Sequence, residues 1–189
     1  MTDIDLSVDA IGKLSPTQLV ELLARLDPHA GTLQQIDVDA IGRAIDPTKL
    51  RPGEFRTLLE HVDRLASSGG AVDLSRLGAQ TFATLIGRAA KEQLREVLSR
   101  PRLRIRILDE IFRRMRAHLR EEQAASVDAV VHWRFPDGVD DHDRYETVIS
   151  HGECLTGRDR TRDPRVTITV GAYDFLRLIT SHTSPRCCS

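Results

Sequence analysis

Residues 129–135, Ala-Val-Val-His-Trp-Arg-Phe, alternate with a period of two, and this alternation constrains the fold more than any other feature. Ala129, Val131, Trp133 and Phe135 fall on one face; Val130, His132 and Arg134 fall on the other. A strand with one apolar face must lie in a sheet that buries that face. A turn at Pro136-Asp137-Gly138 follows, then Asp143-Arg144-Tyr145-Glu146-Thr147-Val148-Ile149, which reads as the returning arm of a hairpin. A short turn at Ser150-His151-Gly152 leads into Glu153-Cys154-Leu155-Thr156. After Asp163-Pro164-Arg165, the residues Val166, Ile168 and Val170 alternate with Thr167 and Thr169, and the threonines suit a half-exposed pleated face. Tyr173-Asp174-Phe175-Leu176-Arg177-Leu178-Ile179 closes the series as a helix. The reading is strand, hairpin strand, strand, strand, helix.

The chain before this region is helical in pattern. Over residues 103–120, Leu108, Ile111, Phe112, Met115 and Leu119 recur at the helical period, and Arg106, Arg113, Arg116 and Arg120 occupy the opposite face. Residues 1–100 carry a repeated phrase. Val8-Asp9-Ala10-Ile11-Gly12-Lys13 returns thirty residues later as Val38-Asp39-Ala40-Ile41-Gly42-Arg43, and a looser copy starts Val72-Asp73-Leu74. Each copy leads into an amphipathic helix: Leu19, Leu22, Leu23 and Leu26; Phe55, Leu58, Leu59 and Val62; Leu94, Val97 and Leu98. Ser15-Pro16 and Asp46-Pro47 each place a capping residue before a proline at the first helical position. Ser67-Ser68-Gly69-Gly70 is a loop. Paired helices at a period of roughly thirty residues suggest stacked helical hairpins; a coincidence of Asp- and Ala-rich composition is the rival explanation. The fold class is α+β, with a helical region over 1–100, a sheet-bearing domain over 102–180 and a tail over 181–189. Six of the eight aromatic residues follow Arg102, so the larger core belongs there.

The ordered series of elements resembles the sterol carrier protein type 2 family of lipid-binding domains. The resemblance rests on several features taken in order. They are a helix of the Ile-Leu-Asp-Glu-Ile-Phe-Arg-Arg-Met type (107–115), the Trp133 strand with Asp137-Gly138, the Arg144-Tyr145-Glu146 strand and the turn at Gly152. The Asp163-Pro164-Arg165-Val166-Thr167-Ile168-Thr169 strand and the Tyr173-Asp174-Phe175-Leu176 helix complete the set. It implies an antiparallel sheet with helices holding a fatty or steroidal ligand, and no catalytic residues. Phe112, Met115, Val131, Trp133, Leu155, Ile168, Phe175 and Leu178 are the residues expected to line the apolar cavity; filling an ordinary core demands the same residue types. Domains of that family continue past the Tyr-Asp-Phe-Leu helix into a Gly- and Lys-rich strand and further helices. Here residues 180–189, ending Arg186-Cys187-Cys188-Ser189, carry neither pattern, so the expectation is a partial domain, truncated at its C-terminal side.

Other chemistries find little footing. Net charge is −1, so no global basic field calls for nucleic acid. The arginines between Arg95 and Arg120 form the strong local charge; they fit anionic headgroups or a solvated face paired with Asp109, Glu110, Glu121 and Glu122. Asp137, Asp140, Asp141 and Asp143 lack the spacing of a calcium loop and read as a polar, solvent-facing turn. His132, His142, His151 and Cys154 lack zinc spacing, and His132 fits a surface histidine. Cys154 has no base beside it, and neither a phosphate loop nor a nucleophile elbow occurs. Cys187-Cys188 do not match the prenylation signal. Three cysteines, two of them adjacent, imply no disulfide framework, and a reducing cytoplasm is the expected compartment. The 24 arginines against 3 lysines fit a GC-rich bacterial genome. The expected function is therefore non-catalytic binding or transfer of a lipid, sterol or other hydrophobic molecule, without cofactor or metal, and with peripheral contact to an anionic membrane. The alternatives are a helical protein-interaction module and an accessory domain without lipid binding.

Overall fold

The computed structural model describes residues 7–27, 37–67, 74–118, 125–136, 138 and 143–181. The chain divides into two compact units, Met1–Leu103 with Leu176–Ser189, and Arg104–Phe175. The sequence placed the first break near Arg102 and the last near Thr180.

The first unit is built from helices α1 (Val8–Gly12), α2 (Pro16–Arg25), α3 (Val38–Ala44), α4 (Pro52–Ser67), α5 (Ala79–Arg88) and α6 (Lys91–Leu98). Local chemistry sets their starts. The Ser7 hydroxyl accepts from the Ala10 amide, and Asp37 accepts from the Asp39 and Ala40 amides. Ser15 and Gln18 form a reciprocal capping box ahead of Pro16. Asp46-Pro47 opens only a single 3-10 turn, Pro47–Lys49, and the following helix starts at Pro52. Alternate helices pack in succession, α1 on α3 and α3 on α5, and likewise α2 on α4 and α4 on α6. Their apolar stripes bury Leu19, Leu23, Phe55, Leu58, Leu94 and Val97. Polar side chains stitch the layers. Gln93 donates to the Pro47 and Leu50 carbonyls, Arg64 donates to the Leu23 and Leu26 carbonyls at the end of α2, and Asp39 accepts from the Gly78 amide ahead of α5. Helix α5 was not singled out from the sequence. The third copy of the repeated phrase begins at residues 72–73, outside the described residues.

The second unit contains most of α7 (Pro101–His118), four strands and the start of α8 (Ala172–Ser181). The strands are β1 (Ala129–Arg134), β2 (Arg144–Ser150), β3 (Glu153–Gly157) and β4 (Val166–Thr169), in the order β3-β2-β1-β4. β1, β2 and β3 are antiparallel neighbours, but β4 runs parallel to β1, so the sheet is mixed rather than antiparallel. The reason is the connection at 158–165. It does not fold back as a hairpin but crosses from one edge of the sheet to the other. The β2–β3 hairpin closes through His151 and Gly152, both at positive φ (53° and 80°), as a two-residue turn between right-twisted strands requires.

The aromatic core lies on one face of this sheet. Phe112 of α7 stacks on Tyr145 with ring centroids 4.1 Å apart, lies near-parallel to Phe175 at 5.7 Å, and meets Trp133 and Phe135 edge-on. Phe135, Tyr145 and Phe175 are fully buried. Arg104, inside the first turns of α7, is buried with Asp143 in an ion pair. Asp143 was expected in a solvent-facing turn; the pairing with Arg104 draws it inward. Residues 137 and 139–142 of that turn lie outside the described residues.

Candidate functional site

Strand register decides which predicted residues meet. Val131 pairs with Val166 and Thr147, and Trp133 with Ile168 and Tyr145, so all six point to the face that α7 covers. Phe112 and Phe175 seal one end of this face. Toward β4 the cover thins: Met115, Val131, Trp133 and Ile168 are half-buried, and Val166 is 46% exposed. The arrangement is an apolar surface open beside an edge strand and backed by a packed aromatic wall.

One polar device lies in its floor. The indole N–H of Trp133 donates to Thr147 Oγ1 at 3.0 Å, and that hydroxyl lies 3.9 Å from the thioether sulfur of Met115. Thr147 is only 2% exposed, and its bond fixes the orientation of the half-buried indole. Sequence reasoning named Trp133 and Met115 but not Thr147; only the cross-strand register reveals it. Cys154, buried on the same face, is a small apolar packing group here.

Two of the expected cavity residues lie elsewhere. Leu155 pairs with Val148 on the opposite face and is 50% exposed. Leu178, 55% exposed, belongs to the first unit. The structure thus gathers Phe112, Met115, Val131, Trp133, Ile168 and Phe175, turns Leu155 to the opposite face and leaves Leu178 exposed.

The face opposite α7 corrects a second expectation. His132 is 6% exposed and not a surface histidine. The crossing segment 158–165 lies over it, held by the Glu146 carboxylate. That carboxylate accepts from the Thr161 amide (3.0 Å), the Arg162 amide (3.0 Å) and the Thr161 hydroxyl (2.8 Å), and lies 3.1 Å from His132 Nε2. Burial pushes the Glu146 carboxyl upward, but the Thr161 hydroxyl, the two amides and His132 outweigh it and hold the group below the ordinary glutamate value. The carboxylate is enclosed by these donors, so the cluster fastens a chain segment.

The arginines of α7 and its approach are largely consumed by ion pairs. Arg102 meets Asp63 at 2.6 Å, Arg104 meets Asp143, and Arg113 and Arg114 both meet Glu110. The side chain of Arg116 and the whole of Arg120 lie outside the described residues. At the far end of the aromatic core, the Tyr145 hydroxyl donates to Asp109 at 2.7 Å, and Arg158 donates to both. Burial, then the bond to Asp109, raises the Tyr145 phenol far above its ordinary value. Among the described residues no cluster of His, Cys, Asp or Glu could hold a metal ion, and no helix is long and apolar enough to cross a membrane. No family model, no curated protein and no solved structure matches this chain.

Proposed function

We propose that the second unit binds a hydrophobic small molecule of the lipid class, without catalysis, on the apolar face bordered by β4. The observation that carries this reading is the run of half-buried apolar side chains, Met115, Val131, Trp133 and Ile168, continuous with exposed Val166. An acyl chain or fused-ring skeleton laid there removes apolar surface from water on both partners, and each 100 Å² so covered contributes about 2.5 kcal/mol before ordering terms. The packed Phe112–Phe175–Tyr145 wall supplies rigidity, so binding needs little reorganisation of that end. The succession of helix, three antiparallel strands, a further strand and a helix also follows the order on which the resemblance to the sterol carrier protein type 2 family rests.

Trp133, the single tryptophan, is a built-in reporter. Titration of the full chain with cis-parinaric acid should give saturable energy transfer from Trp133. Val131→Asp and Ile168→Asp, which place charge on the face, should abolish it while far-UV circular dichroism stays unchanged. A folded wild-type protein with no saturable transfer sinks the reading.

A further inference from the structure

The crossing segment 158–165 is exposed and carries four arginines against two aspartates. Two of its arginines are already engaged: Arg158 with Asp109, and Arg165 with the Asp128 carbonyl at 3.4 Å. Arg160 and Arg162 are exposed, and among the described residues their side chains make no ion pair. Such runs are ordinarily mobile and solvated, and their charges spread. Here the backbone between the two guanidinium groups is fastened to the buried Glu146 through the Thr161 and Arg162 amides and the Thr161 hydroxyl. The anchor holds the backbone that carries these two arginines, with Asp159 and Asp163 beside them, on the sheet face opposite α7. On that same face, at the adjoining edge strand, Leu155 is half exposed.

We infer that this crossing segment is a docking surface for an anionic phospholipid bilayer, with Arg160 and Arg162 meeting phosphate headgroups and Leu155 entering the interface. The combination of fixed cations with an exposed leucine on one face favours a bilayer, which offers negative charge and an apolar layer beneath it. A nucleic acid offers the first but nothing for Leu155, and the chain's net charge of −1 gives no wider basic field. This assignment moves the membrane contact away from α7, where Arg102, Arg104, Arg113 and Arg114 meet acidic partners. It does not depend on ligand binding at the opposite face.

The test is co-sedimentation of the full chain with vesicles of mixed phosphatidylglycerol and phosphatidylcholine. Wild-type protein should partition onto them at low salt and much less at about 0.5 M salt, where charges are screened within a few ångströms. Removing each cation should weaken partitioning roughly fivefold, so Arg160→Gln with Arg162→Gln should lose about thirtyfold. Among the described residues neither side chain makes an ion pair, so the double variant should melt as the wild type does. Leu155→Ser should weaken binding at both salt concentrations. The inference is overturned by wild-type protein that ignores these vesicles, by equal binding to pure phosphatidylcholine, by a double variant that binds as wild type, or by equal affinity for a duplex oligonucleotide.

Discussion

Replacing Glu146 by alanine tests how the crossing segment is held. The carboxylate accepts three hydrogen bonds from the segment at 2.8–3.0 Å and faces His132 at 3.1 Å. A hydrogen bond to a charged acceptor contributes about 1.5–3 kcal/mol. Thr161 and Arg162 are exposed residues whose donors can turn to water, so the four terms do not add. His132 is buried and would be left facing a void. The expected loss is about 2–4 kcal/mol for the second unit. Urea denaturation followed by Trp133 fluorescence reads that unit, because the only tryptophan lies in it. Hydrogen exchange at the Thr161 and Arg162 amides should be slow in the wild type and fast in Glu146→Ala. The effect carries a pH signature. A carboxyl depressed in the folded state contributes stability that is complete above its unfolded value and fades as pH falls through the folded one. The gap between wild type and variant should therefore be full above the ordinary value of 4.5 and close as pH drops below it. A loss under about 0.5 kcal/mol, with both amides exchanging as before, would refute the anchoring argument.

Other expectations are equally direct. Phe112→Ala, which empties the centre of the aromatic cluster, should lower stability by about 3–5 kcal/mol in the same fluorescence assay. Arg104→Ala strands Asp143 as a buried, unpaired charge and should cost about 3–5 kcal/mol, whereas replacing both partners, Arg104→Met with Asp143→Leu, should cost less. The two glycines of the repeated phrase should respond differently. A Cβ at Gly42 would meet Leu77 Cδ1 at 2.6 Å and Thr81 Cγ2 at 2.7 Å, whereas one at Gly12 meets nothing within 4 Å. Thermal melts by circular dichroism should show Gly42→Ala losing about 1–3 kcal/mol, and Gly12→Ala neutral or stabilised by up to about 1 kcal/mol. Tyr145 is held neutral by burial and by its bond to Asp109, so its phenolate absorbance should appear only as the protein unfolds in alkali. Tyr145→Phe should remove that late component.

Much of this architecture is written locally. The period-two alternation of 129–135 assigned the faces of β1, because side chains on a strand cannot avoid pointing to alternate sides. Gly152 marked a tight turn because a residue there must take positive φ, and Ser15-Pro16 marked a helix start because the hydroxyl and the ring suit the first turn. The apolar stripe through Phe112 and Met115 marked the helix that covers the sheet. Six of the eight residues expected at an apolar site lie together for these same reasons. Leu155 was misplaced because a strand's alternation says which residues share a face but not which face is covered. Its partner Val148 turns it away from α7. Leu178 is more than half exposed, which a helical stripe alone does not reveal.

The sequence by itself determined the elements, their faces and the strongest caps, since these follow from backbone geometry and from residues no more than a few positions apart. Only the tertiary structure decided what depends on distant parts of the chain meeting. It set β4 parallel to β1 rather than antiparallel, enclosed His132 and Glu146 beneath a segment fifteen residues further along, and drew Asp143 in to Arg104 across thirty-nine residues. It also paired Arg102, Arg104, Arg113 and Arg114 of α7 with acidic partners, while among the described residues Arg160 and Arg162 make no ion pair. Periodicity carries no record of such pairings, because a charged side chain looks the same in sequence whether its counter-charge arrives from across the fold or never arrives.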